Sequence, residues 1–531
     1  MATRFNSGAV VGQPDADSAG VSVLKKGGNA VDAAVTAAFL SCVVAPKETG
    51  FGGYGGVMLI SMAGKVHAID FNTVAPAAAS PRMFSVAGSD GRWGSTVRGR
   101  ANTVGYKAIS VPGVLAGLSM ALEKFGTLSL ADALAPAIKA CKNGFRVSAS
   151  YAEAIAAQEK TIREFPVTAK LLLEGDVLPT TKDKVKNPDL GKMLEQVAEK
   201  GVREFYEGRI ADRIVKHVEE NDGLLTKEDM ASYQPRELDP IQVKVGGADL
   251  YFTPLCSSGV SLAQMCRLAE LAHLNRWERD AARLAHGWTD IIRAAWLDRY
   301  RYFGDPDVVK VPIAMLLSEI QLGAAGRDVE ANLDEGRQGQ CLIRPLYSGG
   351  GTAHISTVDE NRNMVSLSFT HGPSFGSFVT VPRMGLILNA GMSRFDPGSG
   401  LPNSVAPGKR PIINMAPVLA LRDGVPFLTM GASGGTRIPS SLFQVLARRL
   451  VLEEDIEWSV SAGRLHSEGN DWVRIEEEFG ELAPQYLKEV GYTLSKKGTA
   501  AAVVRAIEVD EDGKLTAVMD PRMGNVKEKG Y

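Results

Sequence analysis

The chain reads as an α+β protein with a substantially antiparallel sheet. Apolar residues at helical spacing dominate its first half. Near residue 340 the pattern changes to alternating strands joined by short polar turns. No low-complexity linker or internal repeat separates the two regions, so helices and strands belong to one compact body.

Taken in order, Gly27-Gly28-Asn29 precedes an apolar ladder of Val31, Val35, Phe39 and Cys42, with Asn29 placed as an N-cap. The glycine-rich stretch Thr49 to Gly56 turns the chain into the strand Val57-Met58-Leu59-Ile60. Residues 115–160 and 190–235 follow helical spacing, and 166–188 reads as a surface connection. Residues 262–301 form two amphipathic helices, whose Trp and Arg residues are assigned to core packing and a solvated face. His354–Val358 and Met364–Thr370 flank the polar turn Asp359–Asn363 as a hairpin. Further strands are expected at 385–389, 418–422 and 426–430, then a helix over 440–452. A last hairpin joins 501–509 to 515–519.

Composition narrows the function. The 531 residues carry 59 Lys+Arg against 61 Asp+Glu, a net charge of -2, which excludes nucleic-acid binding by bulk positive charge. Five scattered cysteines without a CxxC pair fit reduced thiols. The start Met1–Asn6 lacks the apolar run of a signal peptide, and Val31–Ala45 falls short of the ~20 residues a membrane span needs. A cytoplasmic protein without membrane or nucleic-acid partners is expected. Seven histidines with no HExxH and no Cys/His cluster give no metal site, and no cofactor is expected.

Chemistry concentrates at Gly349-Gly350-Gly351-Thr352. Three glycines permit a strained backbone directly before a hydroxyl residue that opens a strand. Attack of the Thr352 hydroxyl on the preceding peptide would free its own α-amine. That amine, titrating at about 7.7–8.0, is a suitable general base for the adjacent hydroxyl. With the hairpin centred on Asn361, Thr370 stands opposite Thr352, β-carbons roughly 4.5–5.5 Å apart. A slip of one residue would undo that pairing. A second loop, Leu428 to Arg437, runs from strand through glycines into a helix and offers the N–H groups of Gly434 and Gly435 to an oxyanion. Taken alone, the first motif reads as a flexible loop entering a strand, and the second also reads as a packing turn.

Together with Gly27–Ala33, the glycine cluster at 50–56, Val111–Gly117, Thr352–Ser356, Lys409-Arg410-Pro411, Gly434–Arg437 and Asp520-Pro521-Arg522, these motifs resemble the gamma-glutamyltransferase (glutathione hydrolase) family of N-terminal nucleophile hydrolases. The resemblance covers nearly the whole chain. It implies a four-layer αββα sandwich built from two chains that self-cleavage makes at Gly351/Thr352: a large subunit, 1–351, and a small subunit, 352–531. It further implies Thr352 as nucleophile, Thr370 as its hydrogen-bonding partner, Gly434 and Gly435 as the oxyanion hole, and an acyl-enzyme released by water or an acceptor amine. A homodimer of heterodimers is compatible with it.

The substrate positions depart from the family pattern. Arg394 replaces the acid that holds a substrate amine, Gly372 replaces an Asn, and Ile413 and Asn414 replace paired serines. Arg82 is only an approximate counterpart of a carboxylate-binding arginine. A guanidinium repels an ammonium and pairs a carboxylate, so the expected substrate is a small carboxylate-bearing amide rather than glutathione. An oxamate amidohydrolase-like enzyme, a true gamma-glutamyltransferase and a non-catalytic uncut relative are the alternatives.

Overall fold

The computed structural model describes residues 2–87, 95–173, 175–341, 351–495, 499–524 and 526–531. Two seven-stranded, antiparallel sheets stack face to face. The first runs, edge to edge, through Lys529–Gly530, Ala9–Val11, Gly351–Val358, Met364–Gly372, Gly55–Met62, Lys65–Asp70 and Arg236–Leu238. The second runs through Thr3–Phe5, Leu515–Met519, Val503–Val509, Val425–Ser433, Val418–Arg422, Ala248–Phe252 and Ile241–Val245. Helices cover both outer faces, giving the expected four layers.

Alternation along the central strands divides the core. Ala353, Ile355, Leu367 and Phe369 face outward onto Val31, Phe39 and Leu115. Leu428, Met430 and Ala432 face outward from the other sheet onto Leu262, Trp288 and Leu442. Between the sheets, Val358 and Met364 meet Leu419, Ile507 and Leu515.

Helix Ala30–Val44 begins on Asn29, whose side chain accepts from Val31 and Asp32 N–H groups in a reciprocal capping box. Asp32, the one charge in this apolar run, is wholly buried. It is satisfied by the Asn29, Thr127 and Leu128 N–H groups and the Thr127 hydroxyl, so the cap also ties this helix to the loop between helices Val114–Phe125 and Leu130–Asn143.

Strands 418–422 and 515–519 stand as the sequence predicts, while 385–389 shrinks to Leu386–Ile387. The supposed surface connection at 166–188 instead holds helix Pro166–Leu172 and strand Lys184–Val185. Thr168 there donates to the Phe378 carbonyl and bonds the Thr380 hydroxyl, partners more than two hundred residues away that no local pattern reveals.

Candidate active site

Gly351–Val358 and Met364–Gly372 form the expected hairpin. From Ala353↔Phe369 to Val358↔Met364 the register is the predicted one. At the end it departs: Gly351 pairs with Gly372, and a bulge intervenes before Ala353. Thr370 is therefore not a plain ladder partner of Thr352. Its hydroxyl donates to the Gly351 carbonyl at 2.5 Å and accepts the Gly372 N–H at 2.8 Å. Gly372, at φ +102, supplies that N–H from a conformation other residues resist. Thr352 is 6% exposed and Thr370 1%. Ser348, Gly349 and Gly350 lie outside the described residues.

Gly351 is seated tightly: a β-carbon there would fall 2.9 Å from the Lys47 carbonyl and 3.0 Å from Glu48 Cα. The Glu48 carbonyl in turn accepts the His371 N–H at 3.1 Å. Burial pulls the His371 imidazole down to about 3, so it stays neutral where it packs over Gly50.

A run of small polar contacts aligns the glycine loop with this site. Thr429 reaches Ser356 (3.4 Å), and a β-carbon on Gly431 would strike the His354 ring at 2.1 Å. The glycine loop follows directly on this strand, which ends at Ser433, two residues beyond Gly431. Gly434 and Gly435 have φ of +151 and +65. Among the described residues their N–H groups have no hydrogen-bond partner. They precede helix Arg437–Leu450, whose N-terminal end favours negative charge. This stretch also has G-x-S-x-G spacing at Gly431, Ser433 and Gly435, a serine-nucleophile signal absent from the sequence reading above. Ser433 instead accepts a bond from Arg505 Nη1 at 2.8 Å.

The substrate-binding candidates gather beside it, with one exception. The turn Gly391–Arg394 starts where the Ala390 N–H donates to the His371 carbonyl, 3.1 Å. Arg394 is 6% exposed, with Nε and Nη2 each 3.2 Å from Ser393 Oγ. It lines a cavity with Arg299, Tyr300, Phe303, Asp396, Asn403 and Ile412. Asn414, also buried, accepts from Arg299 Nη2 at 3.0 Å. Tyr54 bridges the two regions. Its ring lies 3.5 Å from a β-carbon position on Gly372, and burial pushes its phenol up to about 12 while the Arg394 guanidinium pulls it down. Arg82 is exposed. Its neighbours Met83 and Phe84 pack on the cluster of Met392 and Phe395, leaving Arg82 near that turn without entering the cavity.

The sequence reading gave the Trp and Arg residues of helix Ala281–Tyr302 to core packing and a solvated face; Trp288 and Trp296 are core, but Arg293 and Arg299 are buried rather than solvated. The Arg299 guanidinium donates to Ser258 Oγ and the Ile413 carbonyl, and burial pushes its pKa down to about 10. The signal was its place on the buried stripe Trp288, Ile292, Trp296, Arg299, where a charge needs a partner. Among the described residues no group of three or more His, Cys, Asp or Glu side chains could hold a metal ion, and no helix is long and apolar enough to cross a membrane.

Comparison with known proteins gives a consistent result. A family model described as gamma-glutamyltranspeptidase matches residues 16–529. The chain is 35% identical to a glutathione hydrolase proenzyme of Pseudomonas aeruginosa, over 97% of this chain and 93% of that one. It is 31% identical to an acylase ACY 1 proenzyme of Pseudomonas sp. strain SE83, over 96% and 90%. A crystal structure of cephalosporin acylase from Bacillus halodurans superposes with a TM-score of 0.89 at 23% identity, covering 100% of this chain and 97% of that one.

Proposed function

The chain belongs to the gamma-glutamyltranspeptidase family of N-terminal nucleophile amide hydrolases, and from that premise we propose that it matures itself at Gly351/Thr352 and then uses Thr352 as its nucleophile. The observation that carries this is the Thr370 hydroxyl, whose proton points at the Gly351 carbonyl at 2.5 Å, since a carbonyl can only accept, while its oxygen accepts the Gly372 N–H. Such a donor stabilises the oxyanion that forms when Thr352 Oγ adds to that carbonyl. The Gly351–Thr352 C–N bond then breaks, the nitrogen takes a proton, and water hydrolyses the resulting ester. The products are a 351-residue and a 180-residue chain.

In the mature enzyme the Thr352 α-amine takes the proton of its own hydroxyl as Oγ attacks the substrate carbonyl. The oxyanion is held by Gly434 and Gly435 N–H, the amine leaves carrying the proton, and water or an acceptor amine releases the acyl group. The Arg394–Arg299 cavity supports an acyl group ending in a carboxylate: Arg394 lines it with Arg299, and a guanidinium pairs a carboxylate in bidentate fashion. Asp396, in the same cavity, favours a second reading, in which it takes the role of the missing acid and the substrate is a γ-glutamyl compound.

Denaturing mass spectrometry tests the maturation: two chains meeting at Gly351/Thr352 are expected, and Thr352→Ala should remain a single, inactive 531-residue chain. A persistent full-length wild type would indicate a non-catalytic relative. Glutaryl-p-nitroanilide, oxamate and γ-glutamyl-p-nitroanilide separate the substrate readings. The glutaryl compound or oxamate is expected to turn over fastest, and vigorous γ-glutamyl turnover would shift the assignment to Asp396.

A further inference from the structure

We propose that Glu468 is a positioning residue for the Gly434–Gly435 turn, acting through Thr436 and itself held by His466 and Ser440. The proposal rests on reading that turn as the oxyanion site. Thr436 follows Gly435 directly and is wholly buried. Its hydroxyl donates to Glu468 Oε1 at 2.7 Å. The same oxygen lies 3.0 Å from His466 Nε2, and His466 Nδ1 lies 2.6 Å from Ser440 Oγ. Burial holds the imidazole below its ordinary pKa, so the ring carries one proton. The carboxylate draws that proton to Nε2, and Nδ1 accepts from Ser440.

The turn is thus gripped at three points. Before it, Ser433 is tied to Arg505. Beneath it, a β-carbon on Gly434 would lie 2.7 Å from Ala502 Cβ. Ala502 is fixed by Ser441 Oγ on its N–H and Arg464 Nη1 on its carbonyl, both 2.8 Å. After the turn, the side-chain tie runs from Thr436 to Glu468.

An acid at this place needs explaining. Glu468 is 4% exposed, and its Oε2 has no hydrogen-bond partner among the described residues. Burying a charge with one oxygen unmatched is costly, and a glutamine could also accept from Thr436, through a weaker bond. What the carboxylate adds is strength, since a charge-assisted bond is roughly twice as strong as a neutral one. Its charge is compensated by Arg437 and Arg474, both of which act on the neighbouring His466, and by the N-terminal end of helix Arg437–Leu450. A stiff tie matters because oxyanion donors act only when held in place before the charge develops.

The oxyanion exists in the transition state and not in the bound substrate, so loosening the turn lowers kcat and spares KM. Maturation should be spared as well, because the Gly351 carbonyl has its own donor in Thr370. The test compares purified Thr436→Val, Thr436→Ser, Glu468→Gln and Gly434→Ala with wild type, on the anilide that wild type turns over. Thr436→Val should still yield two chains, lose about 10- to 100-fold in kcat and keep KM within about twofold. Thr436→Ser should return kcat to within about threefold of wild type, and Glu468→Gln should fall between. A Thr436→Val kcat within twofold of wild type, or a change confined to KM, overturns the proposal when Gly434→Ala is inactive. If Gly434→Ala is fully active, the oxyanion reading fails first and the proposal with it. Should Thr436→Val fail to fold, the near-isosteric Glu468→Gln decides: wild-type kcat overturns the proposal and a lowered kcat at constant KM supports it.

Discussion

Thr370 is a donor in one direction only. The Gly351 carbonyl can only accept, so the hydroxyl proton goes to it while the oxygen accepts the Gly372 N–H. Thr370→Val keeps the shape and removes the donor. It should slow the appearance of the two chains by about 100-fold, followed on denaturing gels, with Thr370→Ser cutting at close to the wild-type rate. Unchanged cutting in Thr370→Val would mean that the scissile carbonyl is polarised from elsewhere. At this scale the sequence was legible where function is local: Thr352, Thr370, Gly434 and Gly435 stand in short motifs. Arg299 and Glu468 were hidden because each acts through partners distant in the chain. Arg299 reaches Asn414 and Glu468 reaches Thr436, and neither pair has a recognisable spacing.

The hairpin shows how far pattern alone reaches along an element. Polar turn and alternation fix its register over six consecutive pairs, and the bulge appears where the strand end turns toward Lys47 and Glu48. No alternation rule encodes a bulge, since it arises from what the strand end must pack against. Helix Pro14–Lys25 supplies another element-level consequence. Asp17 in its first turn is wholly buried and accepts the Gly12 N–H at 3.0 Å. Burial pushes its carboxyl up to about 8, although the Gly12 N–H and the Arg505 charge both oppose the rise. An acid whose folded pKa lies above the unfolded value of ~3.9 stabilises fully below that value and loses the contribution as pH rises through the folded one. The buried histidines contribute with the opposite sign, so the difference between proteins isolates Asp17. The Tm of Asp17→Asn should rise relative to wild type between about pH 5 and 8, and a Tm difference that does not change with pH would show that Asp17 is already ionised.

Across the whole molecule, the segments before and after residue 351, the two products of the proposed cleavage, are interleaved. Each sheet takes strands from before and after residue 351, and Gly351–Val358 sits between Ala9–Val11 and Met364–Gly372. The chains should therefore leave a sizing column as one species after maturation and part only in denaturant; separation in native buffer would contradict the shared sheets. The layered architecture was legible from helices preceding strand pairs. The order of strands was not, because it depends on which distant segments share a face. The close seat of Gly351 has a last consequence. Under the proposed cleavage that residue would become a carboxylate tail lodged beside the freed amine, held by the same neighbours that hold the intact bond. The enzyme would then be born occupied: its first bound product would be its own end, and activity should trail scission by the time that end takes to swing clear.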